Sequence, residues 1–525
     1  MVLALNRSIG VVGLTFVGVS GVVGSGWLFA PLLAAKYAGP AAILAWLLCG
    51  AAVLLLALTF AEVCGRLPVA GGLGRIPFFT HGRLVAAAMG WTAWIGYLVA
   101  APIEVAVMMR YLAGPLPFLE DVGTAHHLST WGVVMAVAML AVMTALNALG
   151  VAFFARLNTG LTWFKVAVPL VVAALIIADR FQVSNFTQHP SFAPMGLHGI
   201  FSAIATGGVV FAFIGFRHAI DMAGEARRPQ ITVPLALGLS VVICLFIYLA
   251  LQIAFIGALG EAHLAHGWSN IVFEHQLGPL GAIAAALGIF WLSTLVLAGA
   301  VVAPFGGALV AVGSNARLGL ALANNGFFPR RFTLLSQREV PLNALVLNFL
   351  VGVGAFLVLP FGELLALNGA ALTFSLAVGP VCLLALRRQD GPPQSGFRLP
   401  LAWPLSLTAF IVATLIVYWS GWDTVWRLGV ALATGALLFA FMCRGGGPVA
   451  VRPALWLLPY LGGLLLLSWL GQFGDGLKVI GFGWDALLGA LLATGCLLLA
   501  VHLRLDDTQA ARHRAEESTD PGIEA

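Results

Sequence analysis

GVVGSG at Gly21–Gly26 and GGVVFAFIG at Gly207–Gly215 place glycine clusters inside apolar segments long enough to cross a bilayer. Glycine weakens the middle of a helix and frees backbone polar groups. In hydrocarbon those groups need partners, so a broken helix persists only inside protein or around a polar cavity. A matched pair of such breaks in two halves of a membrane chain points to a transporter's binding site.

The 525 residues are 61% hydrophobic and 9% charged, with a mean hydropathy of +1.00. A soluble protein carries about 25% charged residues. Apolar runs of about 20 residues predict an all-α polytopic membrane protein. A β-barrel would need short alternating segments instead. Fourteen spans are expected, near 10–36, 40–65, 84–113, 130–150, 156–178, 198–223, 233–258, 279–312, 341–360, 363–386, 402–419, 424–443, 454–472 and 483–503. The eighth exceeds one membrane thickness and should begin as a short outer helix, crossing from about Trp291. The start MVLALNRSIG carries one charge and runs straight into a span, so no cleaved signal is expected.

Orientation follows from basic residues in short loops. With a cytoplasmic N-terminus, nineteen of the 26 Lys and Arg fall on inner loops, among them Arg66, Arg75, Arg83, Arg227, Arg228, Arg317, Arg387 and Arg388. Five are outer: Lys36, Arg110, Arg180, Arg427 and Lys478. Outer loops carry Glu120, Asp121, His126, His127, Glu261, His263, His266, Glu274 and His275, read as solvated rather than metal-binding. The basic balance thus reflects topology, and no nucleic-acid partner is implied. Cys49, Cys64, Cys244, Cys382, Cys443 and Cys496 lie in or at the ends of spans without a CxxC spacing. They read as small buried hydrophobes, with no disulfide or metal role. The polar stretch 504–525 is expected to be a flexible cytoplasmic tail.

Two basic residues remain inside the membrane, Lys165 and Arg217. Intramembrane ionisable groups are functional candidates by default. Lys165 lies roughly 13 Å along its span at ~1.5 Å per residue, near mid-depth. It either bonds backbone carbonyls structurally or serves proton coupling. Desolvation disfavours the charged amine, so it can exchange a proton, and against carbonyls freed by the first break it would act as a tethered cation. Arg217 opens RHAIDMAGE. It pairs with Asp221 one turn on, or forks onto a substrate carboxylate, or does each in turn. Glu104 reads toward the outer half of the third span. It would meet a substrate amine, share a proton, line the vestibule, or sit at a helix end near Arg110. Glu62 reads as structural, paired with a loop arginine, and His218 as a polar neighbour of the second break.

Four stretches, in order, resemble the amino acid–polyamine–organocation superfamily of secondary transporters: VGVSGVVGSGWLFAP (17–31), RLPVAGGLGRIPFFTHG with GWTAWIGY (66–82 and 90–97), FAFIGFRHAIDMAGEARRPQITVP (211–234) and ARLGLALANNGFFPRRF (316–332). The resemblance covers roughly residues 8–440. It implies the leucine-transporter-type fold, with two inverted five-helix repeats and broken helices one and six. Residues 1–390 would be the transport core, 391–503 four additional helices, and 504–525 the tail. It further implies that a substrate carboxylate rests on the amides of Gly24, Ser25 and Gly26. The amine would meet carbonyls of Val22, Val23, Phe211 and Ile214 beside Gly215, with Phe211 gating from outside. Lys165 matches a fifth-helix lysine of proton-coupled members. Arg217 departs from the glutamate many relatives carry, which disfavours cationic side chains and resembles the aspartate–proton symporter branch.

The expected function is proton-coupled uptake of an acidic (aspartate or glutamate) or neutral amino acid by alternating access. The setting would be a bacterial inner membrane, with both termini cytoplasmic. Exchange without a proton step is the alternative. A membrane-embedded enzyme would need clustered acids or a metal site within the spans. No cofactor is implied; the partners are an amino acid and membrane lipid. The substrate's side chain and the oligomeric state are not written in the sequence.

Overall fold

The computed structural model describes residues 7, 9–69, 71–120, 128–188, 191–273, 278–286, 288, 290–338, 340–391, 395–442 and 450–518. Asp121, His126, His127, Glu274, His275, Cys443 and the last seven residues of the tail lie outside them.

The apolar runs fold as helices, and among the described residues the only β pairing is two isolated bridges, Ile9 with Ala226 and Glu120 with Leu128. The first glycine cluster separates α1 (Val11–Val22) from α2 (Gly26–Ala38). Then come α3 (Ala42–Arg66), α4 (Gly72–Leu112), α5 (Thr130–Ala148) and α6 (Val151–Asp179). The second cluster lies among α7 (Gly196–Ala205), α8 (Val209–Phe213) and α9 (His218–Asp221). Next are α10 (Pro229–Gly257), the short α11 (Glu261–Leu264), α12 (Gly278–Ala286), α13 (Phe290–Asn324), α14 (Leu342–Val358), α15 (Phe361–Leu376) and α16 (Val378–Asp390). The chain continues through α17 (Ala402–Trp419), α18 (Trp422–Met442), α19 (Leu457–Leu470), α20 (Trp484–His502) and α21 (Asp507–Ser518).

Among the described residues eleven helices are long and apolar enough to cross a membrane, and the bent pair Gly196–Ala205 and Val209–Asp221, taken as one span, makes twelve. The expected fourteen is not reached on that measure. Val11–Val22 and Leu342–Val358 are apolar but only 12 and 17 residues long. The eighth span is two helices as expected, α12 and then α13, with Gly288 at φ 71 between them. Part of the supposed inner loop is helical. At Gly82 the backbone takes φ 78 and ψ −170, a glycine conformation that splits α4 into a short helix and a span.

Packing follows an interval of five spans. The helix-one break meets the helix-six break, α3 lies along α10, α4 along α13, and α5 against α14. Such an interval is what two inverted five-helix repeats would give. Small residues permit it: Gly74 and Gly90 bring two turns of α4 against Leu318 and Leu322 of α13. At one end of the bundle Glu62, buried, accepts from Arg387 Nε at 2.8 Å and Nη2 at 2.6 Å, and from the Leu399 amide at 2.8 Å. At the other, Arg427 pairs with Glu363 at 3.1 Å and Arg110 lies 4.5 Å over the Phe361 ring.

The tail departs from its expected flexibility. Residues 507–518 form α21, docked on the short helix at the start of α4. The Leu505 amide donates to the Thr80 carbonyl at 2.9 Å, His513 stacks on Phe78 at 4.3 Å, and Arg514 pairs with Asp390 at 2.7 Å. Its polar composition hides the two residues that matter, Leu505 and Ala510, which are buried.

Candidate functional site

The first break can be followed bond by bond. The Val23 amide still reaches the Val19 carbonyl at 2.8 Å, but the Gly24 amide folds back to Val22 at 2.9 Å. The Ser20 carbonyl therefore loses its helical donor. Lys165, fully buried on α6, fills the vacancy: its Nζ donates to the Ser20 carbonyl at 2.5 Å and to Ser20 Oγ at 3.1 Å. Ser20 Oγ in turn donates to Asn158 Oδ1 at 2.6 Å. A bond to a backbone carbonyl of the first break is common to both readings of Lys165, the structural one and the proton-coupling one.

At the other side of the gap the Ser25 amide donates to Glu104 Oε2 at 2.7 Å. Glu104 comes from α4 and is buried at the first break, while Arg110 of the same helix lies over the Phe361 ring. A cation caps the end of α1 and a carboxylate the start of α2, each complementing the half-helix dipole it faces. Consecutive glycines of α13 back both groups. A Cβ on Gly306 would lie 3.0 Å from Lys165 Nζ, and one on Gly307 would lie 3.3 Å from Glu104 Oε1.

The second break turns the chain by 44°. Gly208 takes φ 83, and after α8 the backbone tightens to a 3-10 turn at Ile214–Arg217. The two breaks touch. A Cβ on Gly215 would strike the Gly21 carbonyl and the Val22 amide, one on Gly21 would strike His218, and one on Gly26 would lie 2.9 Å from Ala212 Cβ. Tyr248 of α10 bridges them, its hydroxyl 2.7 Å from the Val22 carbonyl and 3.3 Å from the Ala212 carbonyl. Two expectations change here. The Val22 carbonyl already accepts from Tyr248 and Gly24, and the Gly24 amide is spent inside the turn. Of the three cradle amides, the one seen holding a carboxylate is that of Ser25.

Arg217 is buried, with its guanidinium 3.7 Å over the Tyr97 ring. Tyr97 donates its hydroxyl to Asp221 Oδ2. Tyr97 thus lies between the two, under the guanidinium and bonded to the carboxylate. Arg217 Nε and Nη1 and Asp221 Oδ1 have no hydrogen-bond partner among the described residues. His218 Nδ1 lies 2.8 Å from Ser314 Oγ, and its ring packs on Tyr97. A cavity of about 20 Å³, room for one water molecule, adjoins Tyr97 between Asn315 and Asn348. Phe211 lies 5.8 Å from Phe29, which meets Phe361 at 5.7 Å, an aromatic group near the Arg110 end. Val22–Gly26 and Ala212–Asp221 are all buried, so this conformation is closed.

Tyr97, Tyr248, Ser20 and Asn158 were not singled out in the sequence. The legible signal was a tyrosine in mid-span, whose hydroxyl needs a partner in hydrocarbon.

A family model for amino acid permeases matches residues 9–441. The chain belongs to the amino acid permease family. The resemblance read from the four motifs therefore holds. The permease is 34% identical over 497 residues to the aspartate-proton symporter of Bacillus subtilis (strain 168), covering 93% of this chain and 94% of that one. It is 32% identical over 504 residues to the glutamate/serine transporter AimA of the same bacterium, covering 93% and 92%. The branched-chain amino acid permease BcaP of that bacterium is 24% identical over 453 residues, covering 84% and 94%. The permease is accordingly an integral membrane protein of amino acid transport, and not an enzyme.

Proposed function

We propose that the permease carries out proton-coupled uptake of an acidic or small neutral amino acid across the bacterial plasma membrane, by alternating access, with both termini cytoplasmic. One observation carries this reading. At the first break a carboxylate sits on the Ser25 amide and an ammonium on the Ser20 carbonyl, the two groups every amino acid presents. The relatives named for aspartate–proton symport and for glutamate and serine transport support the substrate class. Arg217 supports the acidic side of it. A buried guanidinium with two unpartnered donors gains from a second carboxylate. Lys165 is the coupling residue in this reading. Protonated, it holds the Ser20 carbonyl; deprotonated, it loses the charge that makes that bond strong.

Uptake of labelled aspartate, glutamate and serine into proteoliposomes, with and without an inward proton gradient, tests the proposal. A gradient should raise accumulation. Uptake that ignores the gradient but requires amino acid inside would identify an exchanger instead.

A further inference from the structure

We infer that Glu104 is a resident competitor for the substrate's carboxylate, closing the empty binding site with the protein's own side chain. The inference rests on the transport reading above, because it assigns the Ser25 amide to the substrate. Its basis is geometric. Glu104 Oε2 accepts from that amide at 2.7 Å, at the N-terminus of a 13-residue half-helix. Its other oxygen lies against Gly24 so closely that a methyl group there would land on the carboxylate. Ser25 Oγ is buried beside it without a partner among the described residues. The cradle is thus built for a carboxylate and already contains one, brought from a different helix. Two carboxylates cannot share one amide in a low-dielectric site, so the substrate enters only as Glu104 leaves or takes up a proton.

The other ionisable groups that interact with Glu104 are Lys165 on α6 and Tyr248 on α10, and Lys165 in turn interacts with Cys244 on α10 and His218 on α9. Replacing Glu104 leaves these in position, so the difference between wild type and variant isolates its contribution. Acid neutralises Glu104 while a substrate α-carboxylate stays ionised. Apparent affinity should therefore rise as pH falls.

The test is equilibrium binding of labelled aspartate and serine to the purified full-length chain, as wild type and as Glu104→Gln, across a pH series. The variant should bind about fivefold more tightly at alkaline pH, the worth of exchanging a charged competitor for a neutral one, and its pH profile should flatten. Equal or weaker binding by the variant overturns the inference and leaves the transport reading standing. Failure of the wild type to bind any amino acid overturns both. Should Glu104→Gln not fold, the wild type alone decides. Binding of serine should strengthen with acid while that of serine amide, which has no carboxylate to compete, should not. Equal pH slopes for both would overturn the inference.

Discussion

Gly21 and Gly215 lie in direct backbone contact across the two helix breaks, with no room for a methyl group on either. This contact sets the distance between the half-helices, and through it the positions of the Val22 carbonyl, Tyr248 and His218. A Gly215→Ala change must push the breaks apart. The expected cost is about 1–3 kcal/mol of stability, the usual price of overpacking, with uptake lost. Gly238→Ala, where a Cβ meets nothing within 4 Å, should do neither. Thermal melting and uptake of the two variants give the comparison.

Lys165→Gln keeps a donor near Ser20 but cannot carry charge. Wild-type uptake should be greatest with acid outside, where Lys165 is protonated while facing outward, and should fall as external pH rises. In the variant the response to the proton gradient should vanish, leaving only the pH dependence of substrate affinity that Glu104 sets, while exchange of internal for external substrate persists. Uptake by the variant that still follows the proton gradient would remove Lys165 from the coupling step.

Arg217→Gln removes the buried cation and leaves Tyr97 bonded to Asp221. Competition assays should show aspartate and glutamate weakened about tenfold or more, with serine nearly unaffected, as expected for loss of one charge-assisted contact. Equal loss for all three would mean that Arg217 serves the fold and not the substrate.

Arg387→Met should destabilise the protein by about 3–5 kcal/mol, since it leaves the Glu62 carboxylate buried without its bidentate partner. Adding Glu62→Gln should restore part of the melting temperature. Additive losses in the double variant would show that the pair contributes nothing as a pair.

Much of this architecture is local and was legible. Continuous apolar runs declare membrane helices, because each must satisfy its own backbone. Glycine clusters mark the breaks, because they weaken the helix there. That Lys165 falls well inside an apolar helix followed from counting residues along it. The docked helix of the tail was not legible for a local reason as well: a polar stretch carries, among its described residues, only two buried apolar ones, Leu505 and Ala510.

What the sequence by itself determined is where the backbone opens, and that a charge lies buried near the opening. Which side chain answers each opened group was decided only by tertiary structure. Glu104 reaches Ser25 across 79 residues of chain, Lys165 reaches Ser20 across 145, and Tyr248 reaches Val22 across 226. Hydrophobicity and glycine spacing act within one helix, whereas those partnerships depend on how α4, α6 and α10 pack around the same gap.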